Sequence, residues 1–116
     1  MQDTKYELIK FEDGEFSLDV NVSPNEDTVW LTANQIAELL SKDEKTIRKH
    51  INNVFKEKEI SITNNTQKMR VVGVKQSVSY YSLNVVISVG YRVKSQRGVL
   101  FRQWATSILK QYMING

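Results

Sequence analysis

The sequence predicts an α+β domain: an N-terminal β-hairpin, a winged helix-turn-helix-like centre and two C-terminal helices. Three observations lead there. Polar and apolar residues alternate on both sides of an Asp-Gly turn within residues 5–22. Residues 31–51, LTANQIAELLSKDEKTIRKHI, have the spacing of two short helices around a tight turn. Residues 82–112 carry apolar positions at helical intervals. At 116 residues the chain is one domain in length, and its 41% hydrophobic content is that of a folded protein.

The elements follow in order. KYELIKF (5–11) and FSLDVNV (16–22) alternate, with Glu12-Asp13-Gly14-Glu15 as the hairpin turn. Phe16, Leu18, Val20 and Val22 share one face. Ser23–Asp27 is a polar loop around the only proline, Pro24, and Thr28–Leu31 is a short strand whose Trp30 belongs in the core. Thr32 is an N-cap, and Gln35 three residues on completes a capping box. Ile36, Ala37 and Leu40 then recur at helical spacing, and Ser41 holds a turn position where glycine is usual. Asp43 caps the second helix, with Ile47, Ile51, Val54 and Phe55 on its inner face. Lys45, Arg48, Lys49 and Asn52 fall between them, so the outer face is basic and rich in donors. That is what a DNA-reading helix requires, although any amphipathic helical hairpin has the same periodicity.

After Lys58 the pattern becomes β, starting at Ile60 and Ile62. Thr63–Thr66 reads as a turn, and Met69–Val74 and Val78–Tyr81 as the strands of a wing. Lys68, Arg70 and Lys75 are its candidate phosphate contacts; solvated strand faces are the alternative. Ser82 and Ser95 cap the last two helices. Phe101, Trp104, Ala105, Ile108, Leu109 and Tyr112 form one stripe, with Val99, Leu100 and Met113 outside it. This excess of apolar surface suggests a homodimer or a contact with a further C-terminal region, scattered surface residues being the alternative. The expected divisions are 1–27 (hairpin and loop), 28–81 (winged helix) and 82–116 (helical segment).

Charge is distributed unevenly. Residues 1–59 hold all 13 acids and eight bases, a net of −5; residues 60–116 hold eight bases and no acid, a net of +8. The cluster Arg92, Lys94 and Arg97 suggests a basic surface for a polyanion, duplex DNA in the first instance. The alternative is that the two halves pack together and neutralise each other. No cysteine is present, so thiolate metal sites and disulfides are excluded, as fits a reducing cytoplasm. No apolar run has the ~18 residues of a membrane span, and the N-terminus shows no signal-peptide core.

Several segments together resemble the N-terminal region of the RhuM virulence-protein family: TVWLTANQIAELL, KTIRKHINNVFKEKEI and YYSLNVVISVGYRVKSQRGVLFRQWATSILKQYMING. The resemblance spans nearly all of residues 5–116. The FRQWAT element is also similar to the closing helix of phage antirepressor domains of the BRO-N type. The resemblance implies a DNA-binding domain of a bacterial or mobile-element regulator, here expected to be a fragment of a longer protein. It equally allows an antirepressor-type module that binds another regulator rather than DNA. Some relatives are associated with Fic-type transferases, but the histidine and glycine-rich loop of that site are missing.

An enzyme is not expected. His50 is the single histidine and lies inside the basic helix. No GxxxxGK[ST] or GxGxxG loop occurs, so neither a cofactor nor a metal is expected. Glu12, Asp13 and Glu15 cluster in a solvated turn; the acid-free residues 60–116 cannot supply carboxylates for divalent-metal nuclease chemistry, which leaves Asp43 and Glu44 as the candidates.

Overall fold

The computed structural model describes residues 6–69, 73 and 76–115, the side chains of 113–115 excepted. Its elements are β1 (Glu7–Asp13), β2 (Phe16–Ser23), a 3-10 turn (Pro24–Glu26), β3 (Thr28–Thr32), α1 (Ala33–Leu40), α2 (Glu44–Lys56), β4 (Thr66–Met69), β5 (Val78–Ser82), α3 (Leu83–Arg92) and α4 (Gln96–Asn115). The strands form one antiparallel sheet in the order β1-β2-β3-β5-β4. The fold is therefore α+β, with the expected opening hairpin and two closing helices.

The hairpin register, Asp13 opposite Phe16, leaves Gly14 in the turn at φ +63°, a conformation glycine adopts without a Cβ penalty. Strand alternation then sorts the side chains. Leu18, Val20, Val22, Val29 and Leu31 enter one core with Ile36, Leu39, Ile47, Ile51, Val54, Val86 and Phe101. The four helices thus cover one face of the sheet. Trp30 is buried as expected, but it alternates with Val29 and Leu31 and so faces the other way; its Nε1 donates to Glu26 Oε1 at 3.0 Å.

The caps predicted from residue type are present. Thr32 Oγ1 accepts from the Gln35 amide at 3.1 Å, and the Gln35 side chain accepts from the Thr32 amide at 3.0 Å. Ser41 adopts φ 58°, the left-handed conformation a helix C-terminus needs before the chain turns into α2. Asp43 accepts from both the Thr46 hydroxyl and the Thr46 amide, and these bonds, the hydroxyl's first, lower the Asp43 pKa. Ser95 Oγ accepts from the Gly98 amide at 3.0 Å. Ser82 departs from expectation. It stands at the N-cap of α3, but its hydroxyl donates to Asn65 Oδ1 at 2.6 Å, while Thr28 Oγ1 accepts from the Leu83 amide.

The β4–β5 region also differs: Ile60 and Ile62 lie in the irregular segment before β4, not in a strand. Thr66 begins β4 rather than closing the preceding turn, because it pairs with Tyr81 and sets the register that places Lys68 opposite Ser79. Most of the expected strand Met69–Val74 lies outside the described residues, as does Lys75.

Candidate nucleic-acid interface

The second helix of the predicted pair buries Ile47, Ile51 and Val54 completely. Each such side chain contributes roughly 1.5–3 kcal/mol of transfer free energy, which fixes the rotation of α2 about its axis. With that face held inward, Lys45, Arg48, Lys49 and Asn52 are all exposed together on the outside. This part of the candidate surface is assembled as one helix face.

Arg48 is also engaged within the helix. Its Nε donates to Glu44 Oε2 at 2.8 Å, and the same carboxylate accepts from its Nη2, an i,i+4 pair. Glu44 therefore neutralises part of the charge of Arg48 on this face. It also sits in the first turn of α2, where a carboxylate favours the helix dipole.

Beside Arg48 lies an open cleft of about 490 Å³. The start of α1 (Thr32, Ala33, Asn34) and Arg48 form part of its lining, and residues 77–80 form the rest. Ser77, Ser79 and Tyr80 bring hydroxyl-bearing residues to that lining from β5 and the residue before it. Lys68 is exposed and shares a sheet face with its partner Ser79. These hydroxyls were not among the expected site residues: they bear no charge, and only the pairing of β5 with β3 brings them to Arg48. Arg70 and Lys75 lie outside the described residues.

The cluster Arg92, Lys94 and Arg97 does not form one basic patch. Arg92 Nη2 donates to Glu57 at 2.7 Å and to Glu59 at 2.9 Å, tying α3 to the segment that follows α2. The hydrogen bond to Glu57, then that to Glu59, raises the Arg92 pKa. The Glu59 carboxyl is lowered in turn by Arg92 and by Ser88. Arg97 turns the other way. Its guanidinium lies 4.2 Å from the Phe16 ring centroid, Nε is 3.3 Å from Asp13 Oδ2, and Nη1 donates to Leu39 O and Ser41 Oγ, both at 3.2 Å. Lys94 alone of the three is exposed, with no ion pair among the described residues. So the two halves do neutralise each other at Arg92 and Arg97, because acids distant in sequence meet these arginines across element ends.

Among the described residues no group of three or more His, Asp or Glu is placed to hold a metal. His50 is half-buried, and its enclosed Nδ1 has no hydrogen-bond partner among the described residues. Among the described residues no helix is long and apolar enough to cross a membrane.

The sequence pattern of the Virulence protein RhuM family matches residues 53–116, more than half of the chain. The chain belongs to the RhuM family. The match starts near the end of α2 and runs through the hairpin and both closing helices, so it includes Lys68, Arg70, Lys75, Arg92, Lys94 and Arg97. It leaves out Lys45, Arg48, Lys49 and Asn52, whose place in this RhuM-family chain rests on the geometry of α2. No curated protein and no solved structure matches the chain significantly.

Proposed function

We propose that this RhuM-family chain is a DNA-binding domain of a regulatory protein, acting by binding rather than catalysis. It meets duplex DNA as a winged helix-turn-helix: α2 lies in the major groove and the β4–β5 hairpin lies beside it as the wing. The observation that carries the reading is the order β3-α1-α2-β4-β5 with β3 paired to β5. This order puts the polar cleft between the basic helix and the base of the hairpin. A sugar-phosphate strand leaving the major groove suits such a cleft, with Arg48 on one side and hydroxyls on the other. Arg48 and Asn52 are one helical turn apart, and these residue types read guanine and adenine bidentately. Lys45, Lys49 and Lys68 supply phosphate contacts; Arg92 and Arg97 are left out because acids within the chain already hold them.

The test is a fluorescence-anisotropy titration of duplex DNA at several salt concentrations. Neutralising four to six phosphates gives log K a slope of about −4 to −5 against log salt. On a selected site, Arg48→Ala costs about 1–3 kcal/mol and relaxes specificity, whereas Lys68→Ala weakens all sequences alike. Absence of binding at low salt refutes the function. Equal, sequence-blind losses in both variants refute the role of α2 as the reading helix.

A further inference from the structure

At the corner between α3 and α4 is a second concave surface, chemically unlike the cleft at Arg48. Gly90 lies against Gly98 there: a Cβ built on Gly90 comes within 3.9 Å of the Gly98 Cα, whereas one built on Gly98 would press on the Leu40 side chain at 3.2 Å. The two helices meet closely at these glycines, and beside them is a trough of about 260 Å³. Its walls are mainly apolar, from Ile87, Tyr91 and Val99. Tyr91 is 72% exposed and Val99 43%, so large apolar side chains flank it in water. Lys94 and Arg102 stand on the rim, and neither has an ion pair among the described residues. No acid occurs anywhere in residues 60–116.

Lys94 carries a second observation. It has φ 54°, and the Ser95 amide donates back to Gly90 O at 3.1 Å, so Lys94 occupies the left-handed position that ends α3. Glycine fits that position without strain, and a lysine there is conformationally costly. Ser41 and Lys58 adopt the same conformation after α1 and α2, so it closes the helix here too; what bears on the trough is that Lys94 is exposed and lines it.

We propose that the α3–α4 trough is a docking site for an acidic amphipathic peptide segment of a partner protein. Apolar side chains of the segment fill the trough, and flanking carboxylates pair with Lys94 and Arg102. Charge complementarity selects this occupant: the rim is cationic, and the floor is too apolar to suit a phosphate backbone. The site is separate from the DNA reading of α2 and stands if that reading fails.

The test uses a fluorescein-labelled helical peptide of about 16 residues, with Leu at i, i+3, i+4 and i+7 and Glu at the flanking positions. Its Leu→Ala and Glu→Lys versions are the controls. The expected result is saturable binding, weakened at least about tenfold in each control. In amide NMR spectra the shifts concentrate at Gly90, Tyr91, Gly98 and Val99. Lys94→Gly is the diagnostic variant. It raises the melting temperature, because the left-handed strain is relieved, yet weakens the peptide by roughly threefold or more. Val99→Glu, at an exposed position, abolishes binding with the fold intact. The proposal is overturned if the peptide does not bind, if the three peptides bind alike, or if the shifts map elsewhere. It is also overturned if duplex DNA moves the same amides, or if those amides shift with protein concentration alone; the trough would then serve nucleic acid or a second copy.

Discussion

Replacing Arg97 distinguishes a structural clip from a phosphate ligand, because its contacts can be summed. The guanidinium lies over the Phe16 ring at 4.2 Å, and its side chain is 28% exposed. A partly desolvated cation–π contact of this kind contributes about 1 kcal/mol. The charged donation to Leu39 O at 3.2 Å adds about 1 kcal/mol net, and Leu39 O is otherwise an end-of-helix carbonyl left to water. The Asp13 pair at 3.3 Å is between partly exposed groups and adds roughly 0.5 kcal/mol after solvent screening. Arg97→Ala is therefore expected to cost about 2 kcal/mol, since neighbouring contacts are not fully additive. For a domain of this size the corresponding drop in Tm is roughly 6–12 °C. Arg97→Lys recovers less than half, because an ammonium cannot stack flat on Phe16 while reaching Leu39 O and Asp13 together. Urea denaturation measures the loss. A parallel DNA titration, below the melting range, should find affinity within about twofold of the parent. Unchanged stability with DNA affinity reduced as far as in Lys45→Ala would refute the reasoning and return Arg97 to the DNA surface.

Two other perturbations follow from the same geometry. Glu44→Gln frees Arg48 and removes a negative charge from the reading face, so DNA affinity rises roughly twofold to fivefold at low salt, with a smaller gain at high salt; anisotropy titrations at two salt concentrations check it, and a fall in affinity would show that Glu44 positions Arg48 productively. The Glu59 carboxyl is held below its ordinary range by Arg92 and Ser88, so its contribution to stability is present above the unfolded-state pKa and is lost as pH falls through the lowered folded value; urea midpoints should decline below about pH 5, less steeply in Glu59→Gln, and identical slopes in both proteins would show that the Arg92 bridge does not stabilise the fold.

The local features of this RhuM-family chain are legible because their causes are local. The Asp-Gly turn requires a glycine at positive φ, and Gly14 supplies it. The capping box at Thr32 and Gln35 closes within three residues, and Asp43 caps from its own helix. The period of Ile47, Ile51 and Val54 set the inner face of α2, and with it the outward direction of Lys45, Arg48, Lys49 and Asn52. Strand and helix periodicity determined the α+β class for the same reason: each element must bury its own apolar side.

Tertiary structure decided which charges face solvent and which meet a partner. Arg92, Lys94 and Arg97 are five residues from first to last, yet one reaches Glu57 and Glu59, one stays exposed, and one crosses to Asp13 and Phe16. Nothing in the spacing of a basic cluster encodes that division, because the deciding carboxylates arrive from elements 33–84 residues away. The hydroxyl lining of the cleft is hidden from sequence for a related reason. Ser77 and Ser79 are ordinary polar residues until the pairing of β5 with β3 carries them to Arg48. The trough beside Gly90 and Gly98 likewise exists only where α3 and α4 meet, since its lining comes from both helices.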